Sequence, residues 1–379
     1  MRLLFCIKAM DNAGGGGERV LADVASGLAA RGHDVVVLSY DRPGGRSYYS
    51  LDPRIERIQL GIGSTTAPAT TSVTLRRMSA LRKSVQAKAP DVVIGFMHSM
   101  FIPLGLALMG TSIPMIASEH IVPEHYRSRP IQALLLRLTP YLSSRITCVS
   151  EQAREAYPPS LQTKMVVLPN PVTLNPTGRS DVAGSNKARK VLLSVGRLEP
   201  QKDHATLIEA FAEIASEVPD WDLRIIGEGQ LRSQLESMVA ELDLERRVKL
   251  PGASTDIAAE YLSAQLFVLS SRYESFGLTT VEALAHGLPA IGFDDCPGTN
   301  QLIRPGINGD LAKGNGRRST ALAKSLKVFM QDADLRVRLS ANLDGVPDEF
   351  HIDKICGHWE ETLGEVIRNG QGLHKRVFC

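Results

Sequence analysis

The sequence predicts an α/β protein of two Rossmann-like domains facing each other across a cleft. Three observations carry that expectation. Short apolar runs alternate with amphipathic stretches, the pattern of parallel strands joined by crossover helices. The series runs twice, divided by a polar stretch at 175–190 rich in glycine, serine and proline. The chain of 379 residues also exceeds the size at which a single hydrophobic core stops growing.

In the first series, residues 3–7, 35–39, 92–96, 115–118, 145–149 and 165–168 read as strands, and 17–31 as the first helix. Residues 92–118 contain no Asp, Glu, Lys or Arg, but Pro103, Gly105, Gly110 and Pro114 cut them into strand, helix and strand pieces too short to span a bilayer. In the second series the strands are 191–195, 223–226, 248–250, 266–269, 290–293 and 309–311. The helices between them are 204–217, 230–242, 256–263, 278–286 and 320–331. The expected division is a first domain at 1–174, a linker at 175–190, a second domain at 191–351, and a C-terminal helix and tail at 352–379. In that last segment Ile355, Trp359, Leu363, Val366 and Ile367 follow a helical period, so the helix can fold back over the first domain.

Bulk composition narrows the function. A net charge of +2 and 5% aromatic residues argue against a nucleic-acid partner. Five scattered cysteines without a CxxC pair favour reduced thiols in the cytoplasm. The apolar start lacks a basic segment and a cleavage site, so it reads as a buried strand and not as a signal peptide.

The most informative stretch runs from Glu274 through Ser275, Phe276, Gly277 and Leu278 to Glu282. It places two carboxylates on either side of a helix N-terminus, where free N–H groups and the macrodipole favour a phosphate. Carboxylates accept hydroxyls, so the pattern suits a nucleotide sugar, with a solvated helix carrying two surface glutamates as the plain alternative. Gly196 and Arg197 follow the first strand of the second series, and Lys202 lies close behind; guanidinium and ammonium groups both suit a diphosphate. Four glycines, Gly14 to Gly17, precede Glu18 and Arg19 between a strand and a helix, which permits close approach to a ligand. Neither that run nor Gly227-Glu228-Gly229 completes a G-x-G-x-x-G fingerprint, and no P-loop is present. His98 and His120 each follow a first-domain strand and can reach toward a sugar. Asp294 and Asp295 are adjacent, so their side chains point apart, and no metal is expected.

Taken together, these motifs resemble the family 4 glycosyltransferases, and the late turn Gly306-Ile307-Asn308-Gly309 adds to the likeness. The resemblance covers nearly the whole chain and implies the GT-B fold, a nucleotide-diphosphate sugar donor, no bound metal or other cofactor, and retention of anomeric configuration. Carried over by position, it implies that Arg197 and Lys202 hold the donor diphosphate, Glu274 the donor sugar and Glu282 the ribose. It places His120 beside the sugar and makes Arg197, Lys202, Glu274 and His120 the catalytic set. Gly16, Gly17, Gly196, Gly227, Gly229, Phe276, Gly277 and Leu278 would complete the donor site, with His98, Glu18 and Arg19 on the acceptor side. The turn from Asp295 to Asn300 is similar to bacterial members that extend lipid-linked oligosaccharides or exopolysaccharide repeat units. That likeness favours a UDP-sugar as donor of a hexose or N-acetylhexosamine, and a polyprenyl-diphosphate-linked or other saccharide as acceptor. A phosphorylase or nucleotide-sugar epimerase of the same fold, and a non-catalytic sugar-binding protein, are the competing readings. Two basic stretches, 76–88 and 126–142, predict weak peripheral binding to an anionic membrane, at the inner face of the cytoplasmic membrane.

Overall fold

Every strand pairing among the described residues is parallel, and their strands form two sheets. The structure, a computed structural model, describes residues 1–11, 16–172, 178–185, 187–343 and 347–377, with side chains to 370. The chain divides into unit 1, Met1–Thr173 with Glu349–Cys379, and unit 2, Leu174–Asp348.

In unit 1 the strands are β1 (Arg2–Cys6), β2 (Asp34–Ser39), β3 (Glu56–Gln59), β4 (Val92–Phe96), β5 (Met115–Ser118), β6 (Arg145–Cys148) and β7 (Met165–Val167). They stand in the order β3-β2-β1-β4-β5-β6-β7. Strands covered on both faces read as unbroken apolar runs, which is why β1, β2 and β4 were plain from sequence. Only β3 escapes that reading. It lies at the sheet edge, half-exposed, with Ile58 as its one large aliphatic residue.

The helices of this half are α1 (Gly16–Ala30), α2 (Thr71–Lys88), α3 (His98–Leu108), α4 (Pro130–Leu136), α5 (Thr139–Leu142), α6 (Glu151–Ala156) and α7 (Pro159–Gln162). Residues 92–118 form β4, α3 and β5 as expected, and no described helix is long and apolar enough to cross a membrane. Gly95 sits in β4 because a Cβ there would come within 2.8 Å of Phe101, so the missing side chain lets α3 lie on the sheet. The C-terminal helix Ile352–Val377 returns to unit 1 and packs on α1. Trp359 stacks on Phe96 at 6.3 Å, and Glu360 bonds both Arg31 and His33.

In unit 2 the strands are β8 (Lys190–Val195), β9 (Trp221–Ile226), β10 (Val248–Gly252), β11 (Leu266–Val268), β12 (Ala290–Phe293) and β13 (Gly309–Ala312), in the order β10-β9-β8-β11-β12-β13. Its helices are α8 (His204–Ile214), α9 (Arg232–Glu241), α10 (Ile257–Ser263), α11 (Leu278–Ala285), α12 (Thr299–Leu302), α13 (Arg318–Gln331) and α14 (Ala333–Ser340). In both sheets the strand order reverses once, between β1 and β4 and between β8 and β11. Such a reversal opens a crevice at the carboxyl ends of the two strands.

Polar composition suggested a linker at 175–190, yet residues 178–185 pack on unit 2, while 175–177 and 186 lie outside the described residues. Ser180 and Val182 are buried, and the fully buried Arg336 donates to the carbonyls of Val182, Ala183, Phe329 and Met330 while lying over the Trp221 ring. Burial pulls the Arg336 pKa down, and those four carbonyls replace its lost hydration. Arg336→Ala should therefore lower the unfolding free energy by about 3 kcal/mol, since it strands several buried acceptors. Denaturant titration reads this as a lower midpoint, and a loss below about 1 kcal/mol would contradict the assignment.

Candidate active site

The site in unit 2 is assembled from the loops on either side of the β8/β11 reversal. After β8 the backbone of Gly196, Arg197 and Leu198 runs against the loop that follows β9: Gly196 N–H donates to the Ile226 carbonyl and Leu198 N–H to that of Glu228. This approach demands glycine on the β9 side. A Cβ at Gly227 would fall 2.0 Å from the Gly196 oxygen, and one at Gly229 would fall 2.4 Å from the Leu198 oxygen. Asp203, with φ of 50°, then turns the chain from a short 3₁₀ segment, Pro200–Lys202, into α8.

After β11 the chain crosses back toward this loop. Arg272 N–H donates to the Gln201 carbonyl, Gln201 Nε2 to the Tyr273 carbonyl, and Ser270 Oγ to the Lys202 carbonyl. The stitching brings Lys202 Nζ to 2.6 Å from Glu274 Oε1, an oxygen that also accepts from Ser271 Oγ at 2.6 Å. Both side chains are largely buried, at 13% and 9% exposure. Glu274 N–H donates to the Pro297 carbonyl, and Gly298, with φ of 81°, leaves no room for a Cβ beside the Glu274 oxygen.

Glu274 leads through Phe276 and Gly277 into α11. Gly277 takes the left-handed conformation at the helix start, with φ of 88°, and Leu278 opens the first turn. Further along, Glu282 is buried, and its Oε2 accepts from Tyr261 Oη at 2.7 Å. His286 stacks on Tyr261 and bonds the Glu282 carbonyl through Nδ1. Arg197 is half-exposed and paired with Glu199 at 2.8 Å. The result is a cation and a carboxylate in contact beside a helix N-terminus, with a guanidinium on the same loop. Chemically, Lys202 and the α11 N–H groups suit a phosphate, and carboxylates that accept from hydroxyls, as Glu274 does from Ser271 and Glu282 from Tyr261, suit the hydroxyls of a ligand.

Unit 1 presents its own set at the carboxyl edge. Gly17 lies against Met97, whose sulfur is 3.2 Å from where a Cβ of Gly17 would stand. Met97, between β4 and α3, has φ of 63° without being glycine, a strained conformation held by its N–H bond to the Ser118 carbonyl. His98 opens α3, and its Nδ1 is 2.9 Å from Tyr126 Oη, which donates to Glu119 Oε2. His120 stacks on Phe96, and its Nε2 meets Ser118 Oγ, which in turn meets Thr147. Gly16 begins α1, where Glu18 is buried on the first turn and Arg19 pairs with Asp23; Gly14 and Gly15 lie outside the described residues.

Burial sets the titration of these groups. It pushes His98 and His120 down to about 4, with the charges of His125 and Arg129 adding to the effect on His98. His204, beneath the Gly196 loop, falls to about 4 through burial and the neighbouring Lys202. Glu119 rises to about 8 through burial, against hydrogen bonds from Tyr126 and backbone N–H groups.

Sequence reasoning therefore picked groups that meet, Lys202 with Glu274, and missed their neighbours: Ser271 and Gly298 beside Glu274, Tyr261 on Glu282, and Tyr126 with Glu119 beside His98. A serine pair, Ser270-Ser271, ahead of Glu274 was the only local signal. Asp294 and Asp295 are committed elsewhere, to Lys313 and the Gly314 N–H and to Arg318.

Residues 179–344 match the family model described as Glycosyl transferases group 1, and residues 14–175 match Glycosyltransferase Family 4. The chain belongs to the family 4 glycosyltransferases. An uncharacterized glycosyltransferase of Haemophilus influenzae is 26% identical over 92% of this chain and 96% of its own length. A Campylobacter jejuni enzyme, named as an α-1,4-N-acetyl-D-galactosaminyltransferase acting on a diNAcBac-PP-undecaprenol-linked glycan, is 25% identical over 97% of this chain and 99% of its own. Among solved structures, Anabaena HepE in complex with UDP-glucose superposes with a TM-score of 0.75 at 20% identity, covering 96% of this chain and 100% of that one. A sucrose-phosphate synthase from Thermosynechococcus elongatus gives a TM-score of 0.76 at 19% identity, covering 100% and 99%. The fold of this glycosyltransferase is GT-B, two parallel-sheet α/β domains.

The buried titrating groups give opposed pH effects. Histidines depressed below their ordinary value near 6.5 are neutral in the fold but bind protons once unfolded, so their contribution is present above pH 6.5 and is lost toward pH 4. Glu119 is raised from 4.5, so its contribution is full below pH 4.5 and is lost as pH climbs to about 8. Glu119→Gln should therefore raise the thermal midpoint relative to the parent at pH 8, with the gain shrinking toward pH 4.5. A difference between the two that does not change with pH would contradict the raised pKa.

Proposed function

We propose that this glycosyltransferase moves a hexose or N-acetylhexosamine from a UDP-sugar to a saccharide acceptor with retention of anomeric configuration, and that the acceptor is linked to a polyprenyl diphosphate. The observation that carries the reading is the Lys202–Glu274 contact at the N-terminus of α11, with Arg197 on the adjoining loop. In this reading the diphosphate takes Lys202, Arg197 and the α11 N–H groups, and the donor sugar hydroxyls take Glu274. The ribose takes Glu282, held in place by Tyr261. His120 stands beside the sugar, and Gly16 and Gly17 approach the diphosphate. His98, Glu18 and Arg19 belong to the acceptor side.

Charge accumulates on the diphosphate as the glycosidic bond breaks, so fixed cations there lower the barrier most. The chain's own cations, in place of a divalent ion, would neutralise that charge. The acceptor hydroxyl attacks from the face the diphosphate leaves, which gives retention without a protein nucleophile. The nucleotide named in the HepE complex and the undecaprenyl diphosphate in the Campylobacter enzyme's name support these choices of donor and acceptor. Work on a lipid-linked acceptor would be done at the inner face of the cytoplasmic membrane.

Lys202→Ala should reduce kcat by about 10²–10³-fold with a smaller change in donor binding, since its effect is felt mainly in the transition state. Glu282→Ala should weaken UDP binding by about 1.5–3 kcal/mol, and unchanged affinity in a folded variant would remove it from the site. NMR of the product made from an α-linked UDP-sugar should show an α-linkage; a β-linked product would refute retention.

A further inference from the structure

Exposed large apolar side chains are normally scattered singly over a protein surface. In this chain thirteen are exposed among the described residues, and five of them, Ile131, Leu134, Leu135, Leu138 and Tyr141, fall within eleven positions. Ile131 is 74% exposed, Leu134 64% and Tyr141 88%, values that exclude a role in the unit 1 core. They belong to α4 and α5 and the turn between, while Leu136, Thr139 and Pro140 of the same segment face inward. The positions 131, 134, 135 and 138 repeat at helical spacing, so they share one outward face. A sixth, Met109 at the end of α3, lies on the same surface: it and Tyr141 edge a recess of about 580 Å³ with Arg145 and Lys164 on its wall.

Charge on this face is mostly of one sign, with Glu124 beside Arg127 and Glu365 beside Arg145 as its carboxylates. Residues 125–150 contain no Asp or Glu, and Arg127, Arg129 and Arg137 are exposed among the apolar residues. The other basic helix, α2, is different. Its Arg77 donates to the carbonyls of Ile62 and Ser64, its Arg82 to those of Ala107 and Met109, and its Lys88 pairs with Glu56. Those three cations serve the fold; Arg76 and Lys83 stay exposed, but Leu75 is the helix's single exposed large apolar residue.

From this contrast we infer that the α4–α5 face, and not α2, is a docking surface for an anionic lipid bilayer. Ile131, Leu134, Leu138 and Tyr141 enter the boundary between headgroups and acyl chains, and Arg127, Arg129 and Arg137 lie among the lipid phosphates. An apolar face on which cations outnumber carboxylates complements such a leaflet better than it complements a basic protein. The inference does not rest on the donor or acceptor assigned above.

The test is co-sedimentation of the full chain with vesicles of phosphatidylglycerol and phosphatidylethanolamine, against vesicles of phosphatidylcholine alone. Binding to the anionic vesicles that weakens with salt is expected. The double variant Leu134→Ser, Tyr141→Ser should bind at least about tenfold more weakly, and Arg137→Gln about fivefold. Leu75→Ser with Arg76→Gln on α2 should bind as the parent does. Should the double variant not fold, Tyr141→Ser alone carries the comparison. Parent-like binding by the α4–α5 variants, or loss on changing α2 instead, would overturn the assignment. So would an absence of lipid binding together with a concentration-dependent dimer that Leu134→Ser abolishes, since the occupant would then be a second copy. UDP titration of each variant keeps this result separate from the donor site, whose failure would leave vesicle binding intact.

Discussion

The reversal of strand order between β8 and β11 is the constraint on which the candidate site in unit 2 depends. Two adjacent parallel strands whose following helices lie on opposite faces must send their loops apart, and a crevice opens at their carboxyl ends. The loop after β8 carries Arg197 and Lys202; the loop after β11 carries Ser271 and Glu274. Register fixes the spacing, since Leu266 and Phe267 of β11 pair with Leu192 and Leu193 of β8. The ion pair spans the crevice because the sheet leaves its two partners there. The same reversal between β1 and β4 in unit 1 sets Gly17 against Met97 and puts His98 at the head of α3.

A buried ion pair is weak evidence of stability, because removing two charges from water costs about as much as their attraction returns. In the proposed function, Lys202–Glu274 makes better sense as a pair of groups oriented beside a helix N-terminus, each able to exchange its partner for part of a substrate. Ser271 shares the Glu274 oxygen, and Tyr261 performs the same service for Glu282. Glycines 227 and 229 belong to this arrangement through shape: they admit the Gly196–Leu198 backbone that carries Arg197.

Much of this was legible in the sequence because parallel strands are covered on both faces and so write themselves as apolar runs. The site's charged members were legible for a related reason, since Arg197, Lys202, Glu274 and Glu282 stand beside glycines and at strand or helix ends. The edge strand Glu56–Gln59 was not, having no second buried face to write a pattern. Residues 178–185 were not, because their order depends on Arg336, some 150 positions away in the chain. Ser271, Tyr261, Tyr126 and Glu119 are ordinary residues until folding gives each a partner. The two basic stretches look alike in sequence, and only folding shows that one exposes five large apolar side chains and the helix of the other Leu75 alone.

Calorimetric titration of UDP into the whole chain, with EDTA present and GDP as comparison, tests most directly the claim that a nucleotide sits at the β8/β11 crevice. The account predicts saturable one-site binding of UDP that persists under chelation and is lost or sharply weakened when Lys202 and Glu282 are both replaced by alanine. No binding of either nucleotide by demonstrably folded protein, or UDP binding indifferent to both replacements, would contradict it.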